Sequence, residues 1–194
     1  MKYKEGDKVK IKTWKQMADE YGLTTLGNVE GADSPIKDSG ERTVFDTGAV
    51  RDMHTGKGRC DLLPLDVVQM VYDQYQELQE TRGGDWDRGY FDMFDIFLTD
   101  QDEVELILIA CRFIEDEFKS FEDAILEVAI HFEDGCNKYG ENNWRKGIPE
   151  QCYMDSAIRH FLKYKAGWDD ERHDRAFLWN ILCLIWTHER RGEI

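Results

Sequence analysis

The stretch ERHDRAFLWNILCLIWTHER, residues 171–190, decides the fold class. From Ala176 to Trp186 every residue except Asn180 is apolar. A helix apolar on all sides belongs inside a protein, so this segment reads as the central buried helix of a helical domain. Two polar residues stand against that background. His173 and Asn180 lie seven residues apart on one face, and burying an imidazole or an amide costs about 1–3 kcal/mol unless partners are supplied. Either neighbouring side chains satisfy them or they face a ligand.

Working outward, CYMDSAIRHFLKYKAG (152–167) places Tyr153, Ala157, His160, Phe161 and Tyr164 in helical register, with Gly167 as its stop. In FEDAILEVAIHFEDGC (121–136), Ile125, Val128, Ala129 and Phe132 make an apolar side, while Glu127, His131 and Asp134 share another. Residues 102–118 begin with acidic groups and carry a broad apolar face, which predicts a further helix. Pro64 opens another, with Leu65, Val68, Val71, Tyr72 and Tyr75 as its stripe. TRGGDWDRGYFD (81–92) breaks the helical run, and Phe91, Phe94, Phe97 and Leu98 suggest a short helix after it. No βαβ alternation and no internal repeat occurs. The expected class is therefore mainly α, a bundle of four or more helices.

The N-terminal part differs in kind. YKEGDKVKIK (3–12) alternates apolar and charged positions like a strand, Trp14, Met17, Ala18 and Tyr21 follow at helical spacing, and residues 24–43 have loop composition. Residues 1–42 read as a small strand-plus-helix appendage and linker, and 43–194 as the helical domain. The 194-residue chain has 40 acidic and 25 basic residues, a net charge of −15. That balance argues against polymeric nucleic acid, whose affinity rests on basic residues displacing counterions. The five cysteines are scattered without CxxC spacing, so reduced thiols are expected rather than disulfides or a zinc knuckle. With no signal-peptide core and no apolar run of membrane-spanning length, a soluble cytoplasmic protein with no membrane partner is expected.

Acidic and imidazole groups recur on three of the predicted helices: Glu127 with His131, Asp155 with Arg159 and His160, and Glu171 with His173 and Asp174. If these helices pack as neighbours, the groups project into or beside one cavity. Converging carboxylates repel one another unless a cation neutralises them, and oxygen ligands favour Mg²⁺ or Mn²⁺. Taken alone, Glu171 and Asp174 also fit an ordinary solvated surface. FDTGAVRDMHTGKGRCDLLP (45–64) combines glycines at 48, 56 and 58 with Arg51, Lys57 and Arg59, which suits either phosphate contact or a salt-bridged loop. It lacks the order of a Walker loop.

RDMHTGKGRCDLLP (51–64), LEVAIHFEDGCNKYGENNWRKG (126–147), YMDSAIRHFLKYKAG (153–167) and HDRAFLWN (173–180) stand in the same order as the blocks of the phage and prophage dATP/dGTP diphosphohydrolases. The chain resembles that family, which is related to the MazG-like all-α nucleoside triphosphate pyrophosphohydrolases. The likeness covers residues 45–66 and 124–186; residues 67–121 fall outside it and read as a helical insertion.

The resemblance implies hydrolysis of a purine deoxynucleoside triphosphate to the monophosphate and pyrophosphate, a helical Mg²⁺ or Mn²⁺ site, and a homo-oligomer, in the host cytosol where a phage encodes it. On that reading Glu127 and Asp155 are catalytic and also ligate metal, with Glu133, Glu171 and Asp174 as further ligands. Arg51, Lys57, Arg59, Lys138, Asn143, Trp144, Arg159, His160, His173 and Asn180 contact substrate. One departure stands out. MazG-type enzymes carry ExxE and then ExxD on two helices, and residues 121–136 contain no ExxE, while Glu171 and Asp174 have ExxD spacing. A non-catalytic protein that binds or sequesters a nucleotide is the alternative, and a protein-interaction role for the appendage is a third reading.

Overall fold

The computed structural model describes residues 42–53, 55–81 and 102–192. The expected strand at 3–12, the helix around Trp14–Tyr21 and the short helix around Phe91–Leu98 lie outside the described residues. The chain divides into two units, Met1–Met53 and His54–Ile194, whereas the sequence suggested a boundary after residue 42.

In the first unit the described part is an antiparallel hairpin of β1 (Arg42–Val44) and β2 (Val50–Asp52). Arg42 lies opposite Asp52 and pairs with it at 2.7 Å. Gly48 turns the chain at φ +79°, a conformation that costs glycine little. Arg51, expected at a phosphate, is exposed on β2 of this unit.

The second unit is mainly helical, as the apolar periodicity predicts. Its helices are α1 (Leu65–Thr81), α2 (Glu103–Glu117), α3 (Phe121–Tyr139), α4 (Glu150–Lys165) and α5 (His173–Glu189), with short 3₁₀ turns at Cys60–Leu62 and Asn143–Arg145. α5 packs against each of the other four helices. Ala176, Phe177, Leu178, Ile181, Leu182, Cys183 and Ile185 expose nothing to solvent, because this helix has neighbours on every side. Phe177 meets Phe113 of α2 and Phe161 of α4, with ring centroids 4.3 and 5.7 Å away. Residues 67–121, read as an insertion, supply most of α1 and all of α2 to this same core through Val67, Val71, Leu106 and Ile109. No described helix is long and apolar enough to cross a membrane.

Two helix ends position the site. α3 runs on past the 121–136 pattern and ends at Tyr139; Gly140, at φ +87°, donates its N–H to the Cys136 carbonyl at 2.8 Å. The extra turn carries Lys138 and Tyr139 forward on a rigid element. α4 ends in a Schellman motif: Gly167, at φ +72°, donates to the Tyr164 carbonyl and Trp168 to the Lys163 carbonyl, both at 3.0 Å. That tight reversal returns the chain as α5 alongside α4, with Phe161 beside Phe177 and Tyr153 beside Trp179. It also sets Glu171 and His173 beside His160 of α4, and Asp170 beside Lys163.

Candidate active site

The glycine-bearing loop before α1 is fastened to α3 by one carboxylate. Glu133, buried to 7% exposure, accepts the N–H of Gly56 at 2.7 Å through one oxygen and that of Gly58 at 2.8 Å through the other. The Arg59 N–H adds a 2.9 Å bond to the Ala129 carbonyl. Gly58 sits so close to α3 that a Cβ there would lie 3.0 Å from the Ala129 Cβ and from the Ile130 nitrogen. The Arg59 guanidinium reaches Asp61 at 2.7 Å and Glu141 at 2.9 Å, tying the loop to the segment after α3. Glu133 and Arg59, expected as metal ligand and phosphate contact, are thus engaged in holding this loop, and Lys57 is exposed on it.

Between α3, the Asn143–Arg145 turn, α4 and the start of α5 lies a cleft of about 740 Å³. That volume suits a nucleotide, since small-molecule sites commonly span ~300–1,000 Å³. Lys138, Arg159, Arg172 and Arg175 give the cleft its cations, and Tyr139, Trp144 and Trp179 its aromatic surface. Trp179 is anchored by Phe132, His131 and Tyr153, with centroids 5.4–5.9 Å apart. The buried N–H groups at Arg175 Nε and Trp179 Nε1 donate to no protein atom. Trp144 is buried as well, stacked edgewise on Phe132 and Trp186, so it closes the floor of the cleft. Asn143 and Asn180 also line it, although the Asn180 amide already donates to the Ala176 carbonyl at 2.7 Å.

The carboxylates expected to gather round a cation are each engaged elsewhere, with one exception. Glu127 Oε2 faces two arginines, Arg172 at 3.3 Å and Arg175 at 3.8 Å, without hydrogen-bond alignment to either. Asp155 pairs with Arg159 at 2.5 Å on an exposed face of α4. Burial raises the Asp174 carboxyl, but the Arg172 fork at 2.7 Å and the Arg175 N–H outweigh it and leave the group below its usual range. Glu171 is the exception: it lines the cleft with an oxygen turned toward two imidazoles.

Those imidazoles are His160 and His173. Their Nδ1 atoms lie 3.0 Å apart, and Glu171 Oε1 is 3.4 Å from the first and 3.5 Å from the second. His173 has a fully buried side chain, and its Nε2 meets Asp170 Oδ1 at 2.8 Å. Asp170 in turn accepts from Lys163 at 2.9 Å; these two bonds, Lys163 first, hold its carboxyl down at about 2. Burial lowers His160 below the ordinary imidazole range against the opposing pull of Glu171. His131, on the α3 wall of the cleft, is pushed down to about 4 by burial and then by Arg175. His160 and His131 therefore favour the neutral form at neutral pH. Among the described residues, His160, Glu171 and His173 form the one group that brings three metal-ligand atoms together.

Sequence reasoning did not single out Arg172, Arg175, Trp179 or Asp170. Arg172, Arg175 and Trp179 follow an i, i+3, i+7 spacing that puts all three on one helical side, a signal masked by the apolar character of the segment. Asp170 precedes His173 by three residues across a helix start, where pattern alone does not show side-chain contact.

Residues 100–194 match the family model described as dATP/dGTP diphosphohydrolase, N-terminal. The match takes in all of the blocks at 124–186 and extends upstream over α2, while the block at 45–66 lies outside it. Neither the curated proteins nor the solved structures give a match.

Proposed function

From the match of residues 100–194 to the family model described as dATP/dGTP diphosphohydrolase, N-terminal, we propose that this protein is a metal-dependent hydrolase of purine deoxynucleoside triphosphates, releasing the monophosphate and diphosphate. The observation that carries the reading is the cleft itself: four cationic side chains and an aromatic wall in one space of nucleotide size, inside the matched region. The base stacks on Trp179 or Tyr139, with the Asn143 amide at its edge. Lys138, Arg159, Arg172 and Arg175 take the phosphate oxygens, whose charge calls for several donors. Asp155 holds the Arg159 fork in place, and Glu127 stands behind Arg172 and Arg175, opposing their mutual repulsion.

A divalent cation bound here supplies charge neutralisation for the phosphoanhydride and acidifies water. The donor set at the α4–α5 corner, one carboxylate and two imidazoles with their ligand atoms within reach of one point, fits such an ion. The cleft's arginines and lysine then orient the triphosphate so that the bond between the α- and β-phosphates meets the attacking water.

The test is diphosphate release from the four dNTPs and four NTPs with Mn²⁺ or Mg²⁺, with EDTA as control. Metal-dependent release from dATP or dGTP is expected. Tight binding with no release from any nucleotide would establish the sequestering alternative, which the engagement of Glu127, Glu133, Asp155 and Asp174 by protein groups favours.

A further inference from the structure

We infer that His160, Glu171 and His173 form a binding site for a first-row transition-metal ion, with coordination positions left open toward the cleft. This rests on the hydrolase reading only for its role in turnover; the site itself stands on geometry. The three facing atoms, two Nδ1 and one Oε1, are 3.0, 3.4 and 3.5 Å apart. A point equidistant from them lies about 1.9 Å from each, so an ion slightly off their plane meets the ~2.0–2.2 Å distances of Zn–N and Zn–O bonds.

Asp170 strengthens the assignment. Metal-binding histidines commonly hand their other ring N–H to a carboxylate, which fixes the tautomer and frees the ligating lone pair. His173 Nε2 donates to Asp170 at 2.8 Å, and its Nδ1 is therefore the lone-pair atom aimed at His160 and Glu171. A lone hydrogen bond between the two rings explains the 3.0 Å contact, but not the third donor converging on the same point. The α5 N-terminus opposes a cation with roughly half a positive charge. Glu171 and Asp170 each carry a full negative one.

Donor chemistry selects the ion. Two imidazoles with one carboxylate suit Zn²⁺, Mn²⁺, Fe²⁺ or Co²⁺, whereas Mg²⁺ is held by oxygen. Three protein ligands leave room for further ones, as in catalytic rather than structural zinc sites. His160 and Glu171 both line the cleft, so the free positions face the arginines there and are placed for a phosphate oxygen.

The test is titration of the metal-stripped full-length protein with Co²⁺, read by its visible absorption band, with Zn²⁺ and Mg²⁺ as competitors. One Co²⁺ per chain, displaced by Zn²⁺ and not by excess Mg²⁺, is expected. Glu171→Gln and His160→Ala, at partly exposed positions, should abolish the band while retaining the helical circular-dichroism melt. Asp170→Asn should weaken Co²⁺ binding roughly 10–100-fold. No Co²⁺ binding by the wild type, or undiminished binding by both His160→Ala and Glu171→Gln, overturns the site. Mg²⁺-supported diphosphate release without Co²⁺ binding would sink the site and leave the hydrolase standing. Co²⁺ binding in a chain that turns over no nucleotide would do the reverse.

Discussion

Replacing Gly58 by alanine tests whether the loop before α1 is built on close backbone approach. Its φ of +83° already disfavours an L side chain by about 1–2 kcal/mol. The new Cβ would also press on the Ala129 Cβ, the Ile130 nitrogen and the Ala129 carbonyl carbon at 3.0–3.1 Å, and helix backbone cannot move aside as a flexible side chain can. Overpacking of that kind adds about 1–3 kcal/mol. Gly56 supplies the control, because its φ is +79° but nothing lies within 4 Å of an added Cβ.

Gly56→Ala should therefore cost only the backbone share, and Gly58→Ala about 2–5 kcal/mol, or a melting temperature lower by roughly 10 °C. If the loop detaches instead of dragging the fold down, the loss is capped at the docking energy of Glu133 and Arg59. Trypsin should then cut faster at Lys57 and Arg59. Thermal melts and timed proteolysis on both variants read the two cases. Equal melts and equal cleavage for Gly56→Ala and Gly58→Ala would refute the reasoning.

Phe177→Ala should cost about 3–5 kcal/mol in chemical denaturation, because the ring is fully buried between Phe113 and Phe161. Arg175→Ala should lower kcat/KM for the nucleotide roughly 10–100-fold in the diphosphate-release assay, the loss of one charged hydrogen bond, with a melt close to wild type. His131 gives a pH signature. Its folded value of about 4 lies below the unfolded 6.5, so the unfolded state takes the proton first; stability is full above pH 6.5, falls as pH drops, and levels off below about 4, a loss of about 3 kcal/mol. Stability curves of the wild type and His131→Gln should diverge across that window, and parallel curves would remove the imidazole as the cause.

The helical fold was legible because apolar residues on α5 outnumber what any surface helix carries, and because the stripes on α3 and α4 repeat at helical spacing. The end of α3 was less legible than that of α4, since a glycine signals a stop only where the chain needs positive φ. Gly140 and Gly167 have it; Gly135 sits inside the helix. The status of 67–121 was also hidden. Dissimilarity to known blocks suggested an insertion, yet Val67, Val71, Leu106 and Ile109 are core residues whose partners lie far along the chain.

At the site, residue types were readable and pairings were not. The sequence reading puts Glu127 first as a metal ligand, with Asp155, Glu171 and Asp174 behind it on the predicted helices. What separates them is the company each keeps after folding: an arginine fork for Asp174, one guanidinium nitrogen for Asp155, two arginines at 3.3 and 3.8 Å for Glu127, and two imidazoles for Glu171. A carboxylate paired with a guanidinium is already neutralised, and a metal must compete with that pair. A carboxylate facing two imidazole nitrogens and no guanidinium still has its charge to offer. The Schellman turn at Gly167 creates this difference, because it folds the segment after α4 back so that Glu171 and His173 arrive against His160 instead of pointing to solvent. Lengthening that turn by one residue would rotate His173 away from His160 while leaving every motif in place, so the chemistry of the corner is a property of the reversal as much as of the residues it carries.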